Sequence, residues 1–130
     1  MIDLAQHYGE GYIALKDISE RQDISKKYLE QIIPFLNRSG LLITNRGHMG
    51  GYQLAKDPNE ISAYDILVSA EGSLAPVSCM ECSPNTCDKK DFCLTLPVYT
   101  GLYKVVTDYL SNITLHDIIT GLGKGGDYYI

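Results

Sequence analysis

"ISKKYLEQIIPFLNRSG", residues 24–40, decides the reading of this chain. Leu29, Ile32, Ile33 and Leu36 fall at i, i+3, i+4 and i+7, the spacing of one helical face. Ser25 stands where an N-cap belongs, its side-chain oxygen free to accept from a backbone N–H of the first turn. Gly40 supplies the C-terminal stop. Pro34 lies inside the stripe, where it removes the bond to the Glu30 carbonyl and is expected to bend the axis. Upstream, Leu15 and Ile18 mark one face of a shorter helix, and Ile24 lies in the break between the two. A short helix, a tight turn and a longer helix form the helix-turn-helix pattern.

Downstream, "LLITN" (41–45) and "GYQLA" (51–55) read as two strands joined by "RGHMG" (46–50), with Gly47, Gly50 and Gly51 marking a hairpin. A hairpin directly after a helix-turn-helix is a wing, and Arg46 and His48 lie at its tip. In such a module the second helix enters the major groove by its N-terminal end. Lys26, Lys27, Tyr28, Glu30 and Gln31 occupy that end and are the candidate DNA contacts, together with Arg46 and His48. Lysine suits phosphate, glutamine suits adenine, and glutamate can accept from cytosine N4. The same residues also suit the solvated face of an ordinary amphipathic helix, and three helices with a hairpin also serve as protein-interaction domains.

Charge is divided to match. The 130 residues carry a net charge of −5, but residues 16–56 carry +3 and the remainder −8. A phosphate-binding face needs local positive charge rather than a basic whole protein. Hydrophobic content is 45%, ordinary for a globular chain of one domain. No apolar run is long enough to span a bilayer, and no secretory leader is evident, so a cytoplasmic location is expected.

Before the helix-turn-helix, "MIDLAQHYGEG" (1–11) reads as the end of a helix stopped by Gly9 and Gly11. After the wing, "ISAYDILVSAEG" (61–72) is a further helix, with Ser62 and Asp65 at capping-box spacing and Gly72 at its end. "LPVYTGLYKVVTDYLSNI" (96–113) is a long helix with two apolar rows. Tyr99, Tyr103, Val106, Leu110 and Ile113 step by four and three, a heptad seam; Val98, Leu102, Val105 and Tyr109 run beside it. So wide an apolar surface calls for two partners, the chain's own core and a second subunit. The expected dimer interface is Tyr99, Leu102, Tyr103, Val106, Leu110 and Ile113. "TLHDII" (114–119) adds a short helix and "GLGKGGDYYI" (121–130) a glycine-rich tail. The expected fold is mainly α with a small β-hairpin wing. It divides into a winged helix-turn-helix (1–72), a cysteine-rich loop (73–93), a dimerisation helix with a short terminal helix (94–120), and the tail.

All four cysteines lie in "CMECSPNTCDKKDFC" (79–93), spaced C-x2-C-x4-C-x5-C. Stable disulfides are rare in the cytoplasm. Structural zinc sites usually pair two C-x2-C knuckles, and only Cys79 and Cys82 have that spacing. Thiolates also ligate iron–sulfur clusters, and uneven spacings in a loop fit a cluster at least as well as a single ion. A redox thiol switch is the remaining reading. His7, His48 and His116 are isolated, and no phosphate loop, nucleophile motif or carboxylate pair supports an enzyme.

"LKDISERQDISKKYLEQI", "GLLITNRGHMGGYQLAKD", the cysteine loop ending in "CLT", and "LSNITLHDI" together resemble the Rrf family of bacterial winged-helix regulators, from Met1 to about Ile119. The family includes iron–sulfur, nitric-oxide-sensing and cysteine-metabolism regulators. The resemblance implies a homodimer joined through the long helix and bound to a two-fold double-stranded operator, with no membrane and no small-molecule substrate involved. It implies that Glu30 and Gln31 occupy recognition-helix positions and that Arg46 matches a wing arginine that contacts DNA. It implies that Cys79, Cys87 and Cys93 hold a 2Fe–2S or 4Fe–4S cluster, one expected to be lost from protein prepared in air, with the loop from Ser78 to Phe92 then disordered. Genes of iron–sulfur cluster assembly or sulfur metabolism are the implied targets.

Three departures qualify the match. Cluster regulators of the 2Fe–2S type carry a histidine ligand three residues after the last cysteine, where this chain has Leu96. Cys82 is an additional thiol, and the Cys79–Cys87 gap is two residues longer than in the best-known members. Family members also begin about a dozen residues earlier, so Met1 is expected to be an internal start or a boundary. The fourth ligand is then expected to be Cys82 or a group from that preceding stretch.

Overall fold

The computed structural model describes residues 1–76 and 93–121. Among these residues, six helices and a two-stranded antiparallel sheet follow in the order α1 (Ile2–Gln6), α2 (Leu15–Gln22), α3 (Lys26–Arg38), β1 (Leu42–Asn45), β2 (Gly51–Leu54), α4 (Ala63–Glu71), α5 (Leu96–Ser111) and α6 (Leu115–Ile119), with a 3-10 turn at Pro58–Glu60. The mainly helical fold with a hairpin wing is as expected.

Local chemistry sets the element boundaries. Ser25 caps α3, its Oγ accepting from the Tyr28 N–H at 3.0 Å. The turn before it is three residues long and begins at Asp23 in the left-handed region (φ 52°). Two bonds tighten this turn: the Ile24 N–H donates to the Ser19 carbonyl (3.2 Å) and the Ser19 hydroxyl donates to the Ile24 carbonyl (2.6 Å). Helix α3 runs through Pro34, which is exposed and leaves the Glu30 carbonyl without its helical donor. The Ser62–Asp65 capping box opens α4 with both reciprocal bonds made, and Thr114–Asp117 opens α6 in the same way.

The core gathers Leu4 and Ala5 of α1, Ile18 of α2, Leu29, Ile33 and Leu36 of α3, Leu41, Leu42 and Leu54 of the hairpin, Ile61, and Leu115 of α6. Ile61 and Leu115 are fully buried. Helix α6 therefore packs into the winged-helix unit, against α1 and the 3-10 turn, rather than extending α5.

A buried carboxylate fastens α1 to the helix-turn-helix. Asp3 is 2% exposed, and its oxygens accept from Arg21 Nε and Nη2, each at 2.8 Å, and from Gln22 Nε2 at 3.2 Å. The Arg21 guanidinium holds the Asp3 carboxyl below the usual carboxylate range, against the opposing effect of burial. Arg21 lies in the last turn of α2, where a cation also complements the helix dipole.

The wing has a third contributor. Ile13, just before α2, pairs antiparallel with Tyr52: the Ile13 N–H donates to the Tyr52 carbonyl (2.8 Å) and the Tyr52 N–H donates to the Ile13 carbonyl (2.9 Å). Gly51 permits this approach, because a Cβ there would strike the Ile13 carbonyl oxygen and lie 2.6 Å from its carbon.

Candidate nucleic-acid interface

Helix α3 and the wing face one another across a cleft of about 590 Å3, lined by polar and apolar groups alike. Lys26, Glu30, Pro34 and Asn37 line it from α3, and Thr44, Asn45, Arg46, Gly47 and Gly50 line it from the hairpin. Lys16, in the first turn of α2, closes the third side. Three cations thus border one cleft, a setting suited to phosphate oxygens. The Thr44 hydroxyl donates to Asn37 Oδ1 at 3.0 Å, which ties the first wing strand to the outer end of α3.

All seven expected contacts, Lys26, Lys27, Tyr28, Glu30, Gln31, Arg46 and His48, are exposed. They do not share one face. Lys26 and Glu30 turn toward the wing; Lys27 and Gln31 lie about 100° further round the helix. Tyr28 lies on the opposite flank, bordering an apolar groove with Ile24, Ile32, Ile66 and Leu67. Lys16 was not among the expected residues. Its signal was available, since a lysine in the first turn of a helix sets a cation against the dipole.

Helix α5 resolves which apolar row faces inward. Tyr99, Tyr103, Val106 and Leu110 are half-buried on the side of α4, where Tyr103 lies beside Tyr64. Burial, reinforced by Tyr103, pushes the Tyr64 phenol above its ordinary range. Ile113 is buried within its own chain, and its carbonyl accepts from the Ala63 N–H at 2.8 Å. The neighbouring row is open: Val98 is 67% exposed, Leu102 47%, Val105 66% and Tyr109 52%. Of the six residues expected at a subunit interface, Leu102 alone belongs to this open row.

Of the four cysteines, Cys93 lies within the described residues, while Cys79, Cys82 and Cys87 lie outside them, as does the stretch from Ser78 to Phe92 that was expected to be disordered. Cys93 stands at the foot of α5, its Sγ 3.3 Å from Thr95 Oγ1. Leu96 is the first residue of α5 and is half-buried. Among the described residues no group of three or more His, Cys, Asp or Glu side chains is arranged to hold a metal ion, and no helix is long and apolar enough to cross a membrane.

A helix-turn-helix with a paired wing, and with its exposed cations along the cleft between them, defines a winged-helix DNA-binding protein. Residues 1–121 match the Rrf2 family, described as an iron-dependent transcriptional regulator. The chain is 40% identical over 119 residues to the HTH-type transcriptional regulator IscR of Pectobacterium atrosepticum, covering 92% of this chain and 71% of that protein. Its structure resembles that of T. potens IscR, with a TM-score of 0.72 and 37% identity over 99% of this chain and 83% of the other. It also resembles CymR, the global cysteine regulator of B. subtilis, with a TM-score of 0.69 and 33% identity over 92% and 86%. The chain belongs to the Rrf2 family: it is an IscR-like DNA-binding transcriptional regulator, not an enzyme.

Proposed function

We propose that an iron–sulfur cluster held in the cysteine loop controls this regulator's affinity for its operator, and that the protein acts as a homodimer joined through α5. Cys79, Cys87 and Cys93 are the proposed ligands, with Cys82 as the candidate for the fourth. Four thiols within fifteen residues are a donor set that such clusters accept. When bound, the cluster supplies a group whose presence or charge changes with iron supply or oxidation.

The observation that carries the reading is the position of α4. It packs on α3, which faces the DNA cleft, and on α5, at whose foot Cys93 lies. The loop leaves the end of α4 and returns at the start of α5. A cluster bound there would favour one spacing of these two helices over another, and would shift the population toward the form whose paired cleft surfaces fit a two-fold operator. The open row Val98, Leu102, Val105 and Tyr109 offers a second copy the apolar face that the inner row spends on α4. The genes proposed as targets serve iron–sulfur cluster biogenesis.

The test is anaerobic purification and reconstitution with iron and sulfide. Visible spectrum and iron, sulfide and zinc content are measured, and DNA binding is compared with and without the cluster. Protein that stays colourless ends the cluster reading, and stoichiometric zinc favours a zinc-clipped interaction protein. Cys82→Ala that leaves cluster content and spectrum unchanged removes Cys82 from the ligand set. The likeness to CymR supports a second reading, control of sulfur metabolism without a cluster; DNA binding indifferent to reconstitution would favour it.

A further inference from the structure

We propose that Met49, at the tip of the wing, is an apolar wedge that enters the DNA minor groove and makes the regulator select sites by their ease of deformation. The proposal rests on the DNA-binding reading and adds to it a residue and a mode of recognition.

The tip is a built turn. The Gly50 N–H donates to the Gly47 carbonyl at 3.1 Å, closing a four-residue turn whose two central residues are His48 and Met49. Gly47 adopts φ 122°, which a side chain would strain. At Gly50 a Cβ would strike the Asn45 carbonyl oxygen and lie 2.9 Å from the Gly47 carbonyl oxygen. Glycine at both corners thus lets the turn fold back tightly against the end of β1 and thrust its two central side chains outward.

Met49 is 84% exposed, and the core has no claim on it. Covering this apolar side chain with a partner would release the water around it. Its surroundings specify that partner. Arg46 and His48 flank it, and Arg46 lines the same cleft as Lys16 and Lys26. A single methionine beside Arg46 is too small for a protein-docking patch but suits a polyanion with a narrow slot. Architectural DNA-binding proteins insert side chains of this class, methionine included, between base steps and kink the duplex. An unbranched thioether fits an irregular slot better than a branched side chain does. The energy of opening a step depends on its sequence, so Met49 would favour flexible pyrimidine–purine steps beneath the wing over stiff A-tracts.

Arg46 and Met49 then have separable signatures. A phosphate contact contributes about one unit to the salt slope of binding and little to sequence preference, whereas an apolar wedge contributes to preference and leaves the slope alone. The probe is a set of duplexes of roughly 30 base pairs, about three helical turns, selected by the wild-type protein from a randomised pool. Affinity is measured over a salt series for wild type, Met49→Ala, Met49→Gln, Met49→Leu and Arg46→Ala, all in one cluster state. Met49→Ala and Met49→Gln are expected to lose roughly tenfold on duplexes with a flexible step under the wing, with an unchanged salt slope. They should lose less on duplexes with an A-tract there, and Met49→Leu should stay within about threefold of wild type. Met49→Ala that matches wild type on every duplex overturns the proposal and leaves the regulator reading intact. An equal loss on all duplexes with a shallower slope also overturns it, since it marks loss of the Arg46 phosphate contact. Wild type that selects no duplex overturns both.

Discussion

Gly51→Ala tests the architecture of the wing. Gly51 is buried opposite Asn45 in the hairpin, and its backbone is outside the left-handed region, so alanine meets no conformational objection. The objection is space. The new Cβ would run into the Ile13 carbonyl oxygen and lie 2.6 Å from the Ile13 carbonyl carbon and 3.0 Å from the Ala14 nitrogen, all of them backbone. Backbone cannot swing aside as a flexible side chain can, so the Ile13 segment must move out. Movement breaks the two bonds between Ile13 and Tyr52, worth about 1 kcal/mol each, and withdraws the half-buried Ile13 from the core, for roughly another 1 kcal/mol. Alanine returns about 0.5–1 kcal/mol by restricting the unfolded chain. The net expectation is a loss of about 2 kcal/mol, or a fall in Tm of about 6–10 °C for a chain of this size. Urea denaturation followed by circular dichroism measures the loss, and hydrogen exchange at the Tyr52 amide locates it. A variant within about 0.5 kcal/mol of wild type, with the Tyr52 amide still protected, would show that Ile13 does not brace the wing.

Other expectations follow from single contacts. Asp3→Ala removes a buried carboxylate bound by three donors and should cost about 2 kcal/mol of unfolding free energy, below the full buried-pair range because Arg21 remains partly exposed. Because the Asp3 carboxyl is depressed in the folded state, its contribution is complete above the ordinary carboxylate range, about pH 4, and fades as pH falls through the lower folded value. Asp3→Asn should therefore flatten the acid limb of a stability–pH profile; an unaltered limb would refute the assignment. Leu102→Glu places a charge in the open row of α5 and should shift sedimentation from dimer to monomer while helix content is kept; a persistent dimer moves the interface elsewhere. Gln31→Ala should relax base preference at one position per half-site by about tenfold without altering the salt slope.

The residues explain how far sequence reasoning could reach. The stripe Leu29, Ile32, Ile33 and Leu36, the Ser25 cap and the Ser62–Asp65 box are local patterns whose partners lie within a few residues, and they read directly. The Asp3–Arg21 pair spans 18 residues and rests on the way α1 packs, which no local period encodes. Ile13 looks like the approach to a helix, because a single residue-pair bridge leaves no alternation to detect. On α5 both rows are apolar, so periodicity identified two faces without ordering them. The order is set by where Tyr64 and Ala63 of α4 meet Tyr103 and Ile113. At the DNA face, residue chemistry marked Lys26, Glu30 and Arg46, but the rotation that separates Tyr28 from them needs the placement of the wing.

The paired starts of α4 and α6 have a consequence for how such a regulator can change. The Ala63 N–H reaches the Ile113 carbonyl and the Leu115 N–H reaches the Ile61 carbonyl, both at 2.8 Å, between the two fully buried side chains Ile61 and Leu115. The chain thus leaves the DNA-binding core and re-enters it through one clasp, with α4 still packed on α3 and Ile66 on the core in between. Extending a loop inside the clasp costs entropy that grows only with the logarithm of its length. The connection between α4 and α5 can therefore change in length while the clasp and the DNA-binding unit stay folded. With both ends held by the clasp, the stretch between α4 and α5, residues 72–95, is the part to exchange between members of the fold while the packing of α4 on α3 is kept.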